Sequence, residues 1–488
     1  MVPWLAGIAQ TSPRPAFTQD VAVLRTLGLL PVGLEGLVSA ALGNVFALLP
    51  LGPRGERAAW ASALALGVAS SLVFSLVLRW LRARQGSRGL DALLALIAAL
   101  TTALGPSWLL EGTTTGGAAV AAALALLCVA LKLDLFALGA RRDLALGAAL
   151  GLTFIESRWT GLAVVVAMLV PAALTFQPPS ARQLAAFAGG FAVVMLLPLA
   201  LAAALFFAGS ADAELALGLM GHGWTYQSVP VDRSAALGSW LAEVGLLWCV
   251  LAIFGLAYGI LAPRSRRLVA PLFAFLLFDL TFGVDQLDST RPDPLSAVRL
   301  LALAGLAASG ALGARALVDL AGRARLAFAP AISTLLVVYG FTLVFVSAED
   351  SAAAAQERQA NAAEAWTDAA LESLPPSSAL LVRSEATLFR FLAARATSGS
   401  RPDVLMVPLD LLARGGVRSQ LLARENGLLP LLREVLLSGR PSEYSLSALA
   451  DARPAYVELD PEWDARLRVH LVPQPFFIEF AAHPLARS

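Results

Sequence analysis

The connections between this chain's apolar segments alternate in charge, and that alternation narrows its folding options more than any other feature. After about every second segment the connection is basic: Arg79, Arg82, Arg84 and Arg88; Lys132, Arg141 and Arg142; Arg182; Arg264, Arg266 and Arg267; Arg315, Arg323 and Arg325. The connections between these carry acids instead: Glu111, Glu156, Asp212 with Glu214, and Asp285, Asp288 and Asp293. Lys and Arg are retained on the cytoplasmic side of a bilayer. The basic connections are therefore expected inside and the acidic ones outside. Such a chain reads as a polytopic α-helical protein of the cell membrane, with its reactive polar groups gathered on the extracytoplasmic surface.

Composition agrees: 58% of residues are hydrophobic and 15% charged, with a mean hydropathy of +0.71. A net charge of +1 argues against nucleic acid as a partner, because phosphate binding needs a concentrated basic face. The two cysteines, Cys128 and Cys249, sit in apolar segments and read as small core residues. Segments long enough for the hydrocarbon core are expected at 58–80, 90–110, 113–131, 144–157, 159–176, 183–207, 239–262, 268–284, 296–314 and 327–347. The fourth is short and interrupted by Glu156 and Arg158. Ten crossings place residues 1–57 outside, as an extracytoplasmic segment with an interfacial helix over 37–51. An upstream first helix is expected to precede the assigned start. Residues 58–348 form the multi-span domain. From Glu349 the charge density becomes ordinary and strands alternate with helices, so 349–488 reads as a small extracytoplasmic α/β domain.

A carboxylate-rich outer face on a helical bundle suits glycosyl transfer from a lipid-linked sugar. The donor lies in the membrane, a carboxylate serves as general base toward the acceptor hydroxyl, and arginine neutralises the donor phosphate. Glu111, beside Trp108 and followed by Gly112 and three threonines, is one candidate; facing the outer water is its plainer role. Arg158 suits the phosphate, with Glu156 two residues before it. The plainer reading is a Glu156–Arg158 contact or interfacial snorkelling. His222, Trp224 and Tyr226 occupy a long external connection, as an aromatic belt or a sugar platform. Asp285, Asp288 and Arg291, with Asp293, crowd another. That loop is expected to be solvated, a divalent cation being the alternative; no cofactor or resident metal is expected.

The residues also carry a resemblance. Thr26-Leu27-Gly28, Pro31-Val32-Gly33 and Gly43-Asn44-Val45-Phe46-Ala47-Leu48-Leu49-Pro50-Leu51-Gly52 resemble the first external loop of GT-C-type membrane proteins related to protein O-mannosyltransferases. The nearer branch is bacterial and shares its domain with the animal O-mannosyltransferase acting on plexin-type receptors. Trp108-Leu109-Leu110-Glu111, Gly151-Leu152 through Arg158-Trp159-Thr160, Gly221-His222-Gly223-Trp224-Thr225-Tyr226 and Arg401-Pro402-Asp403-Val404 resemble further family segments in the same order. The resemblance implies a polyprenyl-phosphate sugar donor, a protein or glycan acceptor and an inverting displacement. It puts the catalytic acid near Ala16–Gln19, so Asp20 becomes the candidate base, with Glu35 as a substitute. The family's His-Pro-Pro-Gly turn survives only as Pro31-Val32-Gly33. A non-catalytic scaffold that kept the fold is therefore the alternative. A transporter fits less well, because the spans are nearly free of charge, Asp279 and Arg299 excepted, and show no repeated halves.

Overall fold

The computed structural model describes residues 2–11, 20–82, 88–175, 180–221, 233–261, 266–282, 295–324, 328–360, 362–458 and 465–485. Two compact units emerge. Met1–Ser12, Leu34–Leu199 and Gly223–Arg358 form one; Pro13–Gly33, Ala200–His222 and Gln359–Ser488 form the other. The change of composition after Ala348 is not where the units divide. Helix Phe328–Ala360 continues through it, and the second unit takes in two segments remote in sequence. Leu24, Leu219, Phe389 and Ala393 share one buried cluster, an association that no local pattern announces.

Each expected apolar segment corresponds to a helix. Among the described residues, however, four to six of them, not ten, are long and apolar enough to be spans, and helix Ala181–Ala208 ends in the second unit. Arg54–Arg82, Ala181–Ala208, Ser296–Ala324 and Phe328–Ser351 are each long and apolar enough to cross a bilayer. Two further pairs qualify together but are bent: Arg88–Leu104 with Pro106–Thr113, at 56°, and Ala236–Val244 with Leu246–Leu261, at 107°. Ala118–Lys132, Arg142–Glu156, Arg158–Thr175 and Arg266–Phe282 take up the rest. The protein is a multi-pass helical membrane protein.

Each break has a local cause. Gly105 is extended (φ −67°, ψ 150°) and Pro106 opens the next helix, a position that needs no N–H donor. Gly245 stands at φ +78°, where a side chain would be strained. Ser157 is extended (φ −152°, ψ 113°) between Arg142–Glu156 and Arg158–Thr175, as the interrupting charges suggested.

Helix Ser296–Ala324 is the centre of this unit. Its apolar stretch is buried throughout, and it packs on Arg88–Leu104, Ala118–Lys132, Leu246–Leu261 and Arg266–Phe282. A helix enclosed on all sides must be apolar around its whole circumference. Lipid offers little hydrophobic drive between helices, so close approach of small residues matters. A Cβ on Gly255 would strike the Ser309 carbonyl oxygen, and one on Gly313 would strike that of Leu251. These glycines let the two backbones meet.

The second unit carries a five-stranded sheet. The strands are β1 (Ala379–Val382), β2 (Leu405–Pro408), β3 (Ala455–Val457), β4 (Leu471–Pro473) and β5 (Ile478–Phe480), in the order β2-β1-β3-β5-β4. β1 pairs in parallel with β2 and β3; β5 pairs antiparallel with β3 and β4. The sequence suggests strands at 379–382, 404–407, 455–459 and 476–480, and four strands lie there. β4 escapes because three residues ending in proline make no periodic signal.

Candidate active site

Helix Leu37–Ala47 organises the polar end of the first unit, and it is fixed at both termini. Glu156 accepts hydrogen bonds from the Val38 and Ser39 backbone N–H groups at 2.8 and 3.0 Å. Its own carbonyl accepts from Gly36 N–H at 3.1 Å. At the other end Arg57 donates to the carbonyl of Ala47 at 2.7 Å and to that of Leu49. A carboxylate at the first turn and a guanidinium at the last match the helix dipole. Gly36 adopts φ +73° to bring the chain in.

Beside this cap, the Arg158 Nε lies 3.4 Å from the Glu35 carboxylate. Glu35, Glu156 and Arg158 are therefore gathered at one helix start, but not as the Glu156–Arg158 contact the sequence suggested. Glu156 serves the backbone and Arg158 faces Glu35. The remaining Glu156 oxygen, Oε1, has no hydrogen-bond partner. It lies so close to Gly117 that a Cβ there would collide with it. Glu111 is half-buried in helix Pro106–Thr113, whose connection to Ala118–Lys132 passes Glu156 at Gly117.

A second buried polar group joins the two bent pairs. Glu243 accepts from the Ser107 N–H at 3.1 Å, the Ser107 hydroxyl at 2.5 Å and the Ser239 hydroxyl at 3.1 Å. It thereby caps helix Pro106–Thr113 from the far side of the Gly245 break. Nearby, Arg299 Nε donates to both Asp279 oxygens at 2.8 and 2.7 Å, and Trp240 Nε1 donates to Asp279 at 2.8 Å. Both charged side chains are only 2% exposed. A buried pair so well satisfied holds helices together and offers nothing to a travelling ion. Glu243 escaped the sequence reading, although an acid inside the apolar stretch 239–262 was itself the signal.

Asp20 belongs to the second unit. It opens helix Asp20–Thr26, and its carboxylate sits 3.1 Å from Arg390 Nη1, with both side chains buried. Arg390 Nε also donates to Thr367 at 2.8 Å. Burial outweighs the guanidinium and raises the Asp20 pKa to about 6. The Arg401–Asp403 motif is a structural knot. Arg401 donates to the carbonyls of Leu371, Leu374 and Pro375 at 2.6 to 2.9 Å, closing the end of helix Ala362–Glu372. The Arg401 guanidinium and the Ser377 N–H hold Asp403 well below the usual carboxylate range.

His222, Trp224, Tyr226, Asp285, Asp288, Arg291 and Asp293 lie outside the described residues. Among the described residues no group of three or more His, Cys, Asp or Glu is arranged to hold a metal ion.

With this geometry in hand, two solved structures are similar to the chain along almost all of its length. ArnT from Cupriavidus metallidurans in the apo state matches with a TM-score of 0.56 and 13% identity, covering 99% of this chain and 96% of that one. The same protein bound to undecaprenyl phosphate matches with a TM-score of 0.58 and 16% identity, covering 99% and 97%. No protein-family model matches the sequence, and no curated protein does. At this level of identity the likeness is one of fold: the chain and ArnT share the same overall architecture.

Proposed function

We propose that this protein is a GT-C-type membrane glycosyltransferase. It moves a sugar from a polyprenyl-phosphate donor to an acceptor hydroxyl at the extracytoplasmic face, where its C-terminal α/β domain also lies. The observation that carries this reading is the fold likeness to ArnT, which runs through the membrane helices and the α/β unit alike. One of those ArnT structures holds undecaprenyl phosphate, a ligand of the donor's chemical class.

In this reading Arg158 exchanges Glu35 for the donor phosphate, since an arginine fork suits a phosphate at least as well as a carboxylate. Glu111 takes the acceptor proton. It is half-buried, whereas Asp20 is enclosed with Arg390. Departure of the polyprenyl phosphate and attack by the acceptor oxygen on the opposite face of the sugar carbon would invert the anomeric centre.

A transfer assay in membranes tests the proposal. Radiolabelled polyprenyl-phosphate mannose and glucose would be offered to wild type, Glu111→Gln and Asp20→Asn. Removing a general base should lower transfer by about 10²–10⁴-fold, so Glu111→Gln should lose activity at unchanged expression. A second reading, a catalytically inactive scaffold, is favoured by the Asp20–Arg390 pair, which turns the family's acid position into an internal tie. Absence of transfer by wild type with either donor would select the scaffold.

A further inference from the structure

Within the second unit, a cleft of about 770 Å³ opens beyond the ends of β1 and β2. Its position follows from the sheet. The chain leaves β1 for β2 on one side and returns to β3 on the other, so β1 sits where the strand order reverses. In open parallel sheets, ligands bind outside the carboxyl ends of the strands at such a point. Arg383 follows β1, Leu409 and Asp410 follow β2, and all three line the cleft. Helices Leu429–Ser438 and Glu443–Ala452 and the turn between them close its far side. The volume falls within the usual range for small-molecule sites.

The lining chooses a ligand class. Three guanidinium groups, Arg383, Arg440 and Arg466, meet three carboxylates, Asp410, Glu434 and Glu443. The charges balance, so an anion would meet as much repulsion as attraction. The usual phosphate position in such folds, at the start of the helix after β1, already has a carboxylate against it, and the Ser384 hydroxyl accepts from the Thr387 N–H at 3.4 Å. Glu458, just beyond β3, accepts from the Arg383 and Ser384 N–H groups at 2.7 and 2.6 Å. What is left is an array of donors and acceptors around the Ser447 hydroxyl. Ser442 donates to Glu434, Glu443 meets His470 at 3.2 Å and Arg383 stands 4.0 Å from Asp410, so these groups reach a ligand through their remaining donor and acceptor positions. Tyr444 adds a ring on the wall that is 76% exposed. Alternating donors and acceptors beside an uncovered aromatic face suit a polyhydroxylated, uncharged ligand, whose C–H face lies on the ring while its hydroxyls bridge the charged groups.

We propose that this cleft is a binding site for a neutral saccharide. It lies in the α/β unit, is distinct from the Glu35–Glu156–Arg158 group, and requires no donor lipid.

The full-length protein in lipid nanodiscs, free of sugar detergents, would be examined by saturation-transfer NMR. The probes are mannotriose, cellotriose and N-acetylchitotriose, with ADP as the anionic comparison. At least one trisaccharide should receive saturation. The response should weaken about tenfold in Tyr444→Ala, the loss of one aromatic anchor. Tyr444→Phe should keep it. Because Tyr444 projects outward, the alanine variant leaves the core intact, and an unchanged melting temperature would confirm this. No response from any trisaccharide, an equal response in Tyr444→Ala, or a response to ADP alone would overturn the proposal. Since no donor is present, these outcomes are independent of whether the protein transfers sugar.

Discussion

A carboxylate that takes a proton from an acceptor must be able to reach it, and Asp20 is 7% exposed with Arg390 at 3.1 Å. Its chemistry is better described as linkage. The folded-state pKa, about 6, lies above the ordinary aspartate value of 3.8. Between those values the folded protein binds more protons than the unfolded chain, so this group's contribution to stability is full below pH 4 and declines as pH rises toward 6. A rise from 3.8 to about 6 corresponds to about 3 kcal/mol. Asp20→Asn stays neutral throughout and leaves Arg390 charged at every pH, a constant offset. The variant should therefore gain on wild type by up to about 3 kcal/mol from pH 4 to 7. Limited proteolysis of both proteins in nanodiscs at stepped pH reads this as a ratio of cleavage rates. A ratio that stays flat across that range would mean Asp20 is not held as described.

At the scale of elements, the buried glutamates act as caps supplied from elsewhere in the chain. Glu156→Ala would leave the half-buried Val38 and Ser39 N–H groups without their acceptor, a loss of about 1–2 kcal/mol. Their amide exchange should accelerate, while Glu156→Gln, which keeps an oxygen, should do so much less. Unchanged protection in the alanine variant would remove Glu156 from that role. The same two caps mark the limit of what the sequence discloses. Helices such as Arg54–Arg82 are legible because apolarity persists over a bilayer's thickness. The break at Ser157 is legible because Glu156 and Arg158 interrupt an apolar run. That Glu156 meets Val38, 118 residues away, or that Glu243 meets Ser107, 136 residues away, is not. Such partners are set by packing, and a lone carboxylate in a sequence looks the same whether it caps a helix, binds substrate or faces water. Hence the sequence singles out Glu156 and Arg158 as positions of interest but leaves their partners open.

Taken over the whole membrane unit, the buried charges separate into two levels. Arg299 pairs with Asp279 near the start of helix Ser296–Ala324, and Arg315 lies 3.2 Å from Asp91 further along it. At 1.5 Å per residue these arginines stand about 24 Å apart along the axis, somewhat less than the hydrocarbon thickness of about 30 Å. The stretch between them, Leu300 to Ala314, is uncharged. Charges at both rims with none between suit a bundle whose chemistry occurs at a surface; a transport path would carry them at mid-depth. Arg315 continues into the basic connection that the charge rule puts inside, and Asp279 precedes the acidic connection that it puts outside. Orientation can be tested directly. In a background with Cys128 and Cys249 replaced by alanine, Leu437→Cys in the α/β unit and Ala181→Cys beside Arg182 are both exposed positions. A membrane-impermeant maleimide applied to intact cells with a permeabilised outer envelope should label Leu437→Cys at once, and Ala181→Cys only after the membrane is opened. The reverse pattern would put the α/β unit and its saccharide cleft in the cytoplasm, and an outward-facing transfer reaction could not stand.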